Sequence, residues 1–269
     1  MKRFGLIGNP VAGSLSPRLF EAAYGGRYSY DLIEGAVFDA SWQRFLDEYD
    51  GINITAPFKQ DAFRAVDVLS DSARLCGAVN LAVKTSDGIK GYNTDVDGVV
   101  LAVREALGAL VRDPFYAPSS VIPGLPRNLS APDAGVPPLR EALVVGCGGA
   151  GRAAAVAALR LGCHVTLANR TTARAASLAS ELGCAWVPID ALDTLSPDLI
   201  IYTVPSPMED LPDFPDAIIL EANYRTPCLD GHGRVYISGL RWLLYQAVAG
   251  YSIFTGEEPD RNAMLRIFC

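Results

Sequence analysis

The residues of this chain that could do chemistry are a glycine run, one well-placed lysine, two serines beside a proline and several asparagines. Gly146-x-Gly148-x-x-Gly151, with Gly149 and Ala150 inside it, follows the apolar run Ala142-Leu143-Val144-Val145 and opens an alanine-rich stretch. Glycines between a strand and a helix make a tight turn and let a pyrophosphate approach the helix N-terminus. The plainer reading of the same turn is close strand-to-helix packing. About 20 residues further on, where a dinucleotide site for NAD carries a carboxylate, the chain has Asn169, Arg170, Thr171 and Arg174. Charge and hydrogen bonding from these residues suit a 2′-phosphate, which predicts NADP over NAD. A solvated helix start with Thr171 as N-cap is the alternative.

Ser14-x-Ser16-Pro17 reads as a helix start with proline in its first turn, or as two hydroxyls and a helix N-terminus turned toward a carboxylate. Lys59 follows the strand pattern GINIT and the turn Ala56-Pro57-Phe58, at the mouth of a helix. A solvated lysine is the default at such a place and a proton donor the functional alternative. Asn93-Thr94-Asp95 ends a hairpin and leads into a helix, so capping is the bland reading there too. The two histidines, His164 and His232, nearly exclude His-based metal sites and Ser/His/Asp hydrolysis. Six cysteines, Cys76, Cys147, Cys163, Cys184, Cys228 and Cys269, lack metal-ligand spacing and predict reduced, mostly buried thiols. No metal is expected.

Elements must hold these side chains, and 269 residues at 50% hydrophobic and 20% charged provide enough apolar material for two globular domains. The first half alternates strand and helix: strands over 2–7, 30–33 and 52–55, helices over 17–24 and 42–49. A hairpin turning at Asp87-Gly88 follows, then a helix over 96–110. Seven prolines within 112–138 mark a loop or linker. Beyond it, ALVVG, the glycine turn with its helix, and HVTLA make one βαβ unit. Strands over 198–203, 217–220 and 235–237, a long apolar helix ending at Gly256 and a short helix from Pro259 complete the pattern. The net charge, 23 − 30 = −7, repels nucleic acid and anionic lipid. No apolar run reaches the ~18 residues of a spanning helix, and a cytoplasmic protein is expected.

Taken in order, GNPVAGSLSP, NITAPFK, GAVN, GYNTD, VVGCGGAGRAA, NRT and the late Gln246 in LLYQA resemble the shikimate dehydrogenases of aromatic amino acid biosynthesis over nearly the whole chain apart from 112–138. NITAPFK with GYNTD is the specific part. The resemblance implies a two-domain α/β fold: a substrate-binding catalytic domain over 1–111 completed by helices of 238–269, and a Rossmann-type NADP-binding domain over 139–237. It implies NADP-dependent, reversible reduction of 3-dehydroshikimate to shikimate. Ser14 and Ser16 would hold the substrate carboxylate, Thr55, Asn80, Asn93 and Gln246 would read ring hydroxyls, and Lys59 with Asp95 would be the catalytic pair. Gly146, Gly148, Gly149, Ala150 and Gly151, with Asn169, Arg170, Thr171 and Arg174, would take the cofactor. The partner is a small molecule, and the protein a monomer or homodimer.

Four places depart from the family pattern. Gly13 stands where a His precedes the first serine, and Phe20-Glu21 where His-Asn follows the SxSP motif. Residues 202–208, Tyr-Thr-Val-Pro-Ser-Pro-Met, replace an Asn-Ala-Thr segment on the nicotinamide side, and 224–227 is shorter than its counterpart. A quinate or shikimate-like dehydrogenase of different substrate range, or a catalytically weak ligand-binding paralogue, is the alternative.

Overall fold

The computed structural model describes residues 2–107, 139–208 and 211–268, so the proline-rich stretch 112–138 lies outside the described residues. The chain divides into two compact units. Residues 2–94 and 244–268 make the first; 95–107, 139–208 and 211–243 make the second.

In the first unit, β1 (Arg3–Gly8) lies between β2 (Ser29–Glu34) and β3 (Gly51–Ile54), both parallel to it. Next come β5 (Leu81–Thr85) and β6 (Gly88–Tyr92), joined as an antiparallel hairpin, with the two-residue β4 (Val68–Leu69) at the edge. Thr85 pairs with Gly88, so Ser86-Asp87 form the turn and Gly88 takes the φ of 105° that it demands. The strands β1 and β3 are buried almost throughout, as expected of strands covered on both faces. One cover is α2 (Phe38–Glu48), whose Trp42 and Phe45 pack with Ile7, Ile33, Tyr49, Ile52 and Ile54. Spacing predicted α2 only from Trp42; it starts four residues earlier. α1 (Ser16–Tyr24) buries Leu19, Phe20, Ala23 and Tyr24. Phe20 is 1% exposed and meets the rings of Phe4 at 5.4 Å and Tyr251 at 4.8 Å, so the residue that departs from the family pattern has become core. Two short helices follow β3: α3 (Lys59–Ala65) and α4 (Asp71–Cys76).

The second unit holds six parallel strands: β7 (Glu141–Val145), β8 (His164–Ala168), β9 (Ala185–Val187), β10 (Leu199–Tyr202), β11 (Ile218–Glu221) and β12 (Val235–Ser238). Their spatial order, β12-β11-β10-β7-β8-β9, is the doubly wound arrangement of dinucleotide-binding sheets. α6 (Gly149–Arg160) buries Ala153, Ala154, Ala155, Val156, Ala157 and Ala158, small side chains that let the helix lie close to its neighbours. α5 (Asp95–Ala106) also belongs to this unit, and α7 (Thr172–Leu182) stops at Gly183, whose φ of 69° ends the helix. A core of Leu143, Val145, Ile200, Tyr202, Ile219 and Leu229 fills one face of the sheet.

α8 (Gly239–Thr255) is assigned to the second unit through Leu243 and to the first from Leu244. α9 (Arg261–Leu265) begins two residues past Pro259, capped by Asp260, which accepts from the Ala263 N–H at 2.9 Å. Among the described residues no helix is long and apolar enough to cross a membrane, and five cysteines are free, with Cys76 and Cys163 buried and the other three half-buried.

Candidate active site

Three chain segments of the first unit are tied together at Asn80. Its N–H donates to the Tyr92 carbonyl at 2.9 Å, and its own carbonyl accepts from the Ile54 N–H at 2.8 Å. The side chain continues the join: Nδ2 donates to Thr94 Oγ1 at 3.2 Å, and Oδ1 accepts from the Thr94 N–H at 2.8 Å. Asn93 lies next to it, donating from Nδ2 to the Ala78 carbonyl at 3.1 Å. Its Oδ1 is buried without a hydrogen-bond partner among the described residues. Such an orphan acceptor costs about 1–3 kcal/mol, which a ligand hydroxyl would recover.

Lys59 opens α3 and is half-buried, and its carbonyl accepts from the Val79 N–H at 2.9 Å, one residue before Asn80. Thr55 continues the β3 pairing by donating its N–H to the Ile7 carbonyl at 2.9 Å. Asn53, two residues back and hence on the same strand face, is buried and donates from Nδ2 to the Asn80 carbonyl at 3.3 Å. Sequence reasoning missed Asn53; its period-two relation to Thr55 was the available signal. Gln246 lies on α8, four residues before Gly250 and so on the same helix face. A Cβ at Gly250 would sit 2.8 Å from Leu81 Cδ1 and 3.6 Å from Thr94 Oγ1, so glycine lets this face of α8 reach the asparagine cluster.

The two serines do not cap α1. Leu15 occupies the N-cap position without a side-chain bond, while Ser14 Oγ donates to Ser16 Oγ at 3.1 Å and accepts from the Ser16 N–H at 3.2 Å. Glu34, at the end of β2, holds the loop before them by accepting from the N–H groups of Val11 and Ala12 at 2.8 and 3.1 Å. The hydroxyls are thus free of the bland capping role.

In the second unit, Asp95 begins α5 directly after Thr94, and its carbonyl accepts from Trp242 Nε1 at 2.9 Å. Gly146 adopts φ 100°, and a Cβ on Gly151 would collide with the Gly146 carbonyl, so both glycines are sterically required. Over Gly148 and Gly149 a Cβ would meet nothing within 4 Å, leaving an open cradle at the start of α6. Asn169 joins this turn to the next loop: Oδ1 accepts from the Cys147 N–H at 3.2 Å, and Nδ2 donates to the Thr171 carbonyl at 3.0 Å. Arg170, Thr171 and Arg174 are exposed, and among the described residues neither arginine is in an ion pair. Thr171 is the N-cap of α7 but makes no side-chain capping bond. An open glycine cradle, no carboxylate at the end of β8 and uncommitted guanidinium groups together fit a 2′-phosphorylated dinucleotide.

Residues 6–82 match the family model described as the shikimate dehydrogenase substrate binding domain. An NADP(+) shikimate dehydrogenase of Acidiphilium cryptum is 35% identical over 95% of this chain and 91% of its own. That of Halobacterium salinarum is also 35% identical, over 98% and 97%. The chain belongs to the shikimate dehydrogenase family. Among solved structures, the shikimate 5-dehydrogenase of Thermus thermophilus in complex with NADP(H) and shikimate superposes with a TM-score of 0.78 at 28% identity, covering 99% of this chain and 98% of that one.

Against the family pattern, the altered 202–208 segment is firmly held. Tyr202 donates its hydroxyl to the Ser206 carbonyl at 2.7 Å, and Thr203 Oγ1 donates to the Val145 carbonyl at 2.9 Å. Asn223 Nδ2 reaches the Pro205 and Thr226 carbonyls at 3.0 and 2.9 Å. Behind that loop, fully buried Glu221 accepts from the N–H groups of Cys228 and Leu229 and from the Tyr236 hydroxyl at 2.8, 3.1 and 3.0 Å. Burial, with Glu221 adding to it, pushes the Cys228 thiol up to about 11, so it is not a nucleophile at neutral pH. Among the described residues no group of three or more His, Cys, Asp or Glu side chains could hold a metal ion.

Proposed function

We propose that this protein catalyses the reversible, NADP-dependent reduction of 3-dehydroshikimate to shikimate. The observation that carries the reading is the buried Asn80–Thr94–Asn93 mesh with its unsatisfied Asn93 Oδ1, tied through Val79 to half-buried Lys59. Ser14 and Ser16 hold the carboxylate, and Thr55, Asn80, Asn93 and Gln246 read ring hydroxyls. NADP(H), when bound, supplies or takes up the hydride. Its pyrophosphate is received over Gly146, Gly148, Gly149, Ala150 and Gly151; Asn169, Arg170, Thr171 and Arg174 receive the 2′-phosphate. As the ketone oxygen gains alkoxide character, the Lys59 ammonium stabilises that charge and donates the proton. Asp95 is the second member of the catalytic pair that the family resemblance implies.

In this reading 1–111, completed by 238–269, serves the substrate and 139–237 the cofactor, in a cytoplasmic monomer or homodimer. Purified protein incubated with shikimate or quinate and with NADP⁺ or NAD⁺, followed by reduced-nicotinamide absorbance, tests substrate and cofactor together. Shikimate with NADP⁺ is expected to be the best pair. Quinate turnover alone moves the protein to another substrate range. A melting shift with shikimate but no reduction of either nicotinamide makes it a ligand-binding paralogue, the reading that the altered 202–208 segment favours.

A further inference from the structure

Tyr251 sits on α8 five residues beyond Gln246, and its hydroxyl donates to the Ser16 carbonyl at 3.0 Å, joining α8 to the first turn of α1. Its ring meets Tyr30 at 5.9 Å, edge to face, and stacks on Phe254 at 6.4 Å. Tyr30 donates its own hydroxyl to Asn53 Oδ1 at 2.8 Å. Burial drives both phenols well above their ordinary range, so they stay neutral. Ser14 Oγ donates to Ser16 Oγ and Asn53 to the Asn80 carbonyl, so the packed rings of Tyr251 and Tyr30 stand between the serine pair and the asparagine mesh. The one phenolic proton is thus spent on the Ser16 backbone, and it fixes the place from which the serine hydroxyl projects. Phenylalanine would fill the same aromatic space without reaching Ser16.

We propose that Tyr251 is a positioning residue for the carboxylate subsite: by holding the Ser16 backbone it sets the serine hydroxyl in the place that receives the substrate carboxylate. This rests on the shikimate dehydrogenase reading above. Tyr251→Phe keeps the ring in its aromatic cluster and removes only the hydroxyl, and a melting curve verifies that the variant is folded. Its KM for shikimate should rise about 3- to 10-fold, the worth of one hydrogen bond, with kcat within about twofold of wild type and the KM for NADP⁺ unchanged. The methyl ester of shikimate, which lacks the carboxylate charge, should show no such rise. In a Ser16→Ala background Tyr251→Phe should add little, because the residues act as one unit. Tyr30→Phe, which leaves Tyr251 in place but strips its neighbour's hydroxyl, should give a smaller rise with the same dependence on the carboxylate and serves if Tyr251→Phe does not fold. Wild-type protein that turns over neither acid nor ester overturns the functional reading and this proposal with it. Normal wild-type turnover, with the variants' KM unchanged or raised equally for acid and ester, overturns the proposal alone.

Discussion

Removing the ammonium of Lys59 should cost rate more than binding. Lys59→Ala is expected to lower kcat by ~10²–10⁴, the range of positioned acid–base catalysis, while the Kd for shikimate changes by a modest factor. A rise in KM alone would make the lysine a substrate-binding cation and move the proton donor elsewhere. Arg170 is exposed and among the described residues makes no ion pair, so its loss has little structural consequence. Arg170→Ala should weaken NADP⁺ by ~1.5–3 kcal/mol, the worth of a charged hydrogen bond, and NAD⁺ far less; equal losses in titrations with both cofactors would contradict its role. At this scale the sequence was readable where a motif brings side chains together, as GAVN and GYNTD bring Asn80 and Asn93 to one buried cluster with Thr94. It was unreadable where a side chain matters through its neighbours: Glu34 is one acid among 30 until its two backbone bonds are seen.

Two packed helices of the second unit carry a proton-dependent term. Asp97 on α5 is buried, with Arg160 of α6 at 3.6 Å and its Oδ2 without a hydrogen-bond partner among the described residues. Burial pushes its carboxyl up to about 7, Arg160 pulls down less strongly, and Asp95 adds to the rise. Since the folded chain holds this proton more tightly than the unfolded chain, the stabilisation is complete below the ordinary carboxylate range and is lost as pH rises through about 7. The urea midpoint should therefore decrease as pH is raised from about 4 to about 7, and Asp97→Asn should flatten that slope. A parallel slope in the variant would assign the effect to another group. Elements long enough to show a period, such as α6 and α8, were legible from sequence. α4 was not, because its six residues never complete an amphipathic pattern; only its ends signal it, Ser70 accepting from the Ala73 N–H at 3.2 Å and Gly77 at φ 59°. β4 and β9, at two and three residues, exist through pairing to β6 and β8, and no local preference announces them.

For the whole molecule, two compact units mean two hydrophobic cores, so unfolding need not be a single transition. Either ligand at 100 times its Kd should add about 2.7 kcal/mol to the unit that binds it. Scanning calorimetry should show NADP⁺ raising one part of the transition and shikimate another, whereas equal shifts of a single peak would mean that the units unfold as one. Asn169 bears on how such a molecule can be re-engineered. Because its two amide ends separately fasten the glycine turn and the Thr171 backbone, the residues after it form an exchangeable cassette. Replacing Arg170 with Asp while keeping Asn169 should convert the coenzyme preference toward NAD⁺ and leave the fold of the glycine turn as it was, read as the ratio of KM values for the two coenzymes and an unchanged melting curve.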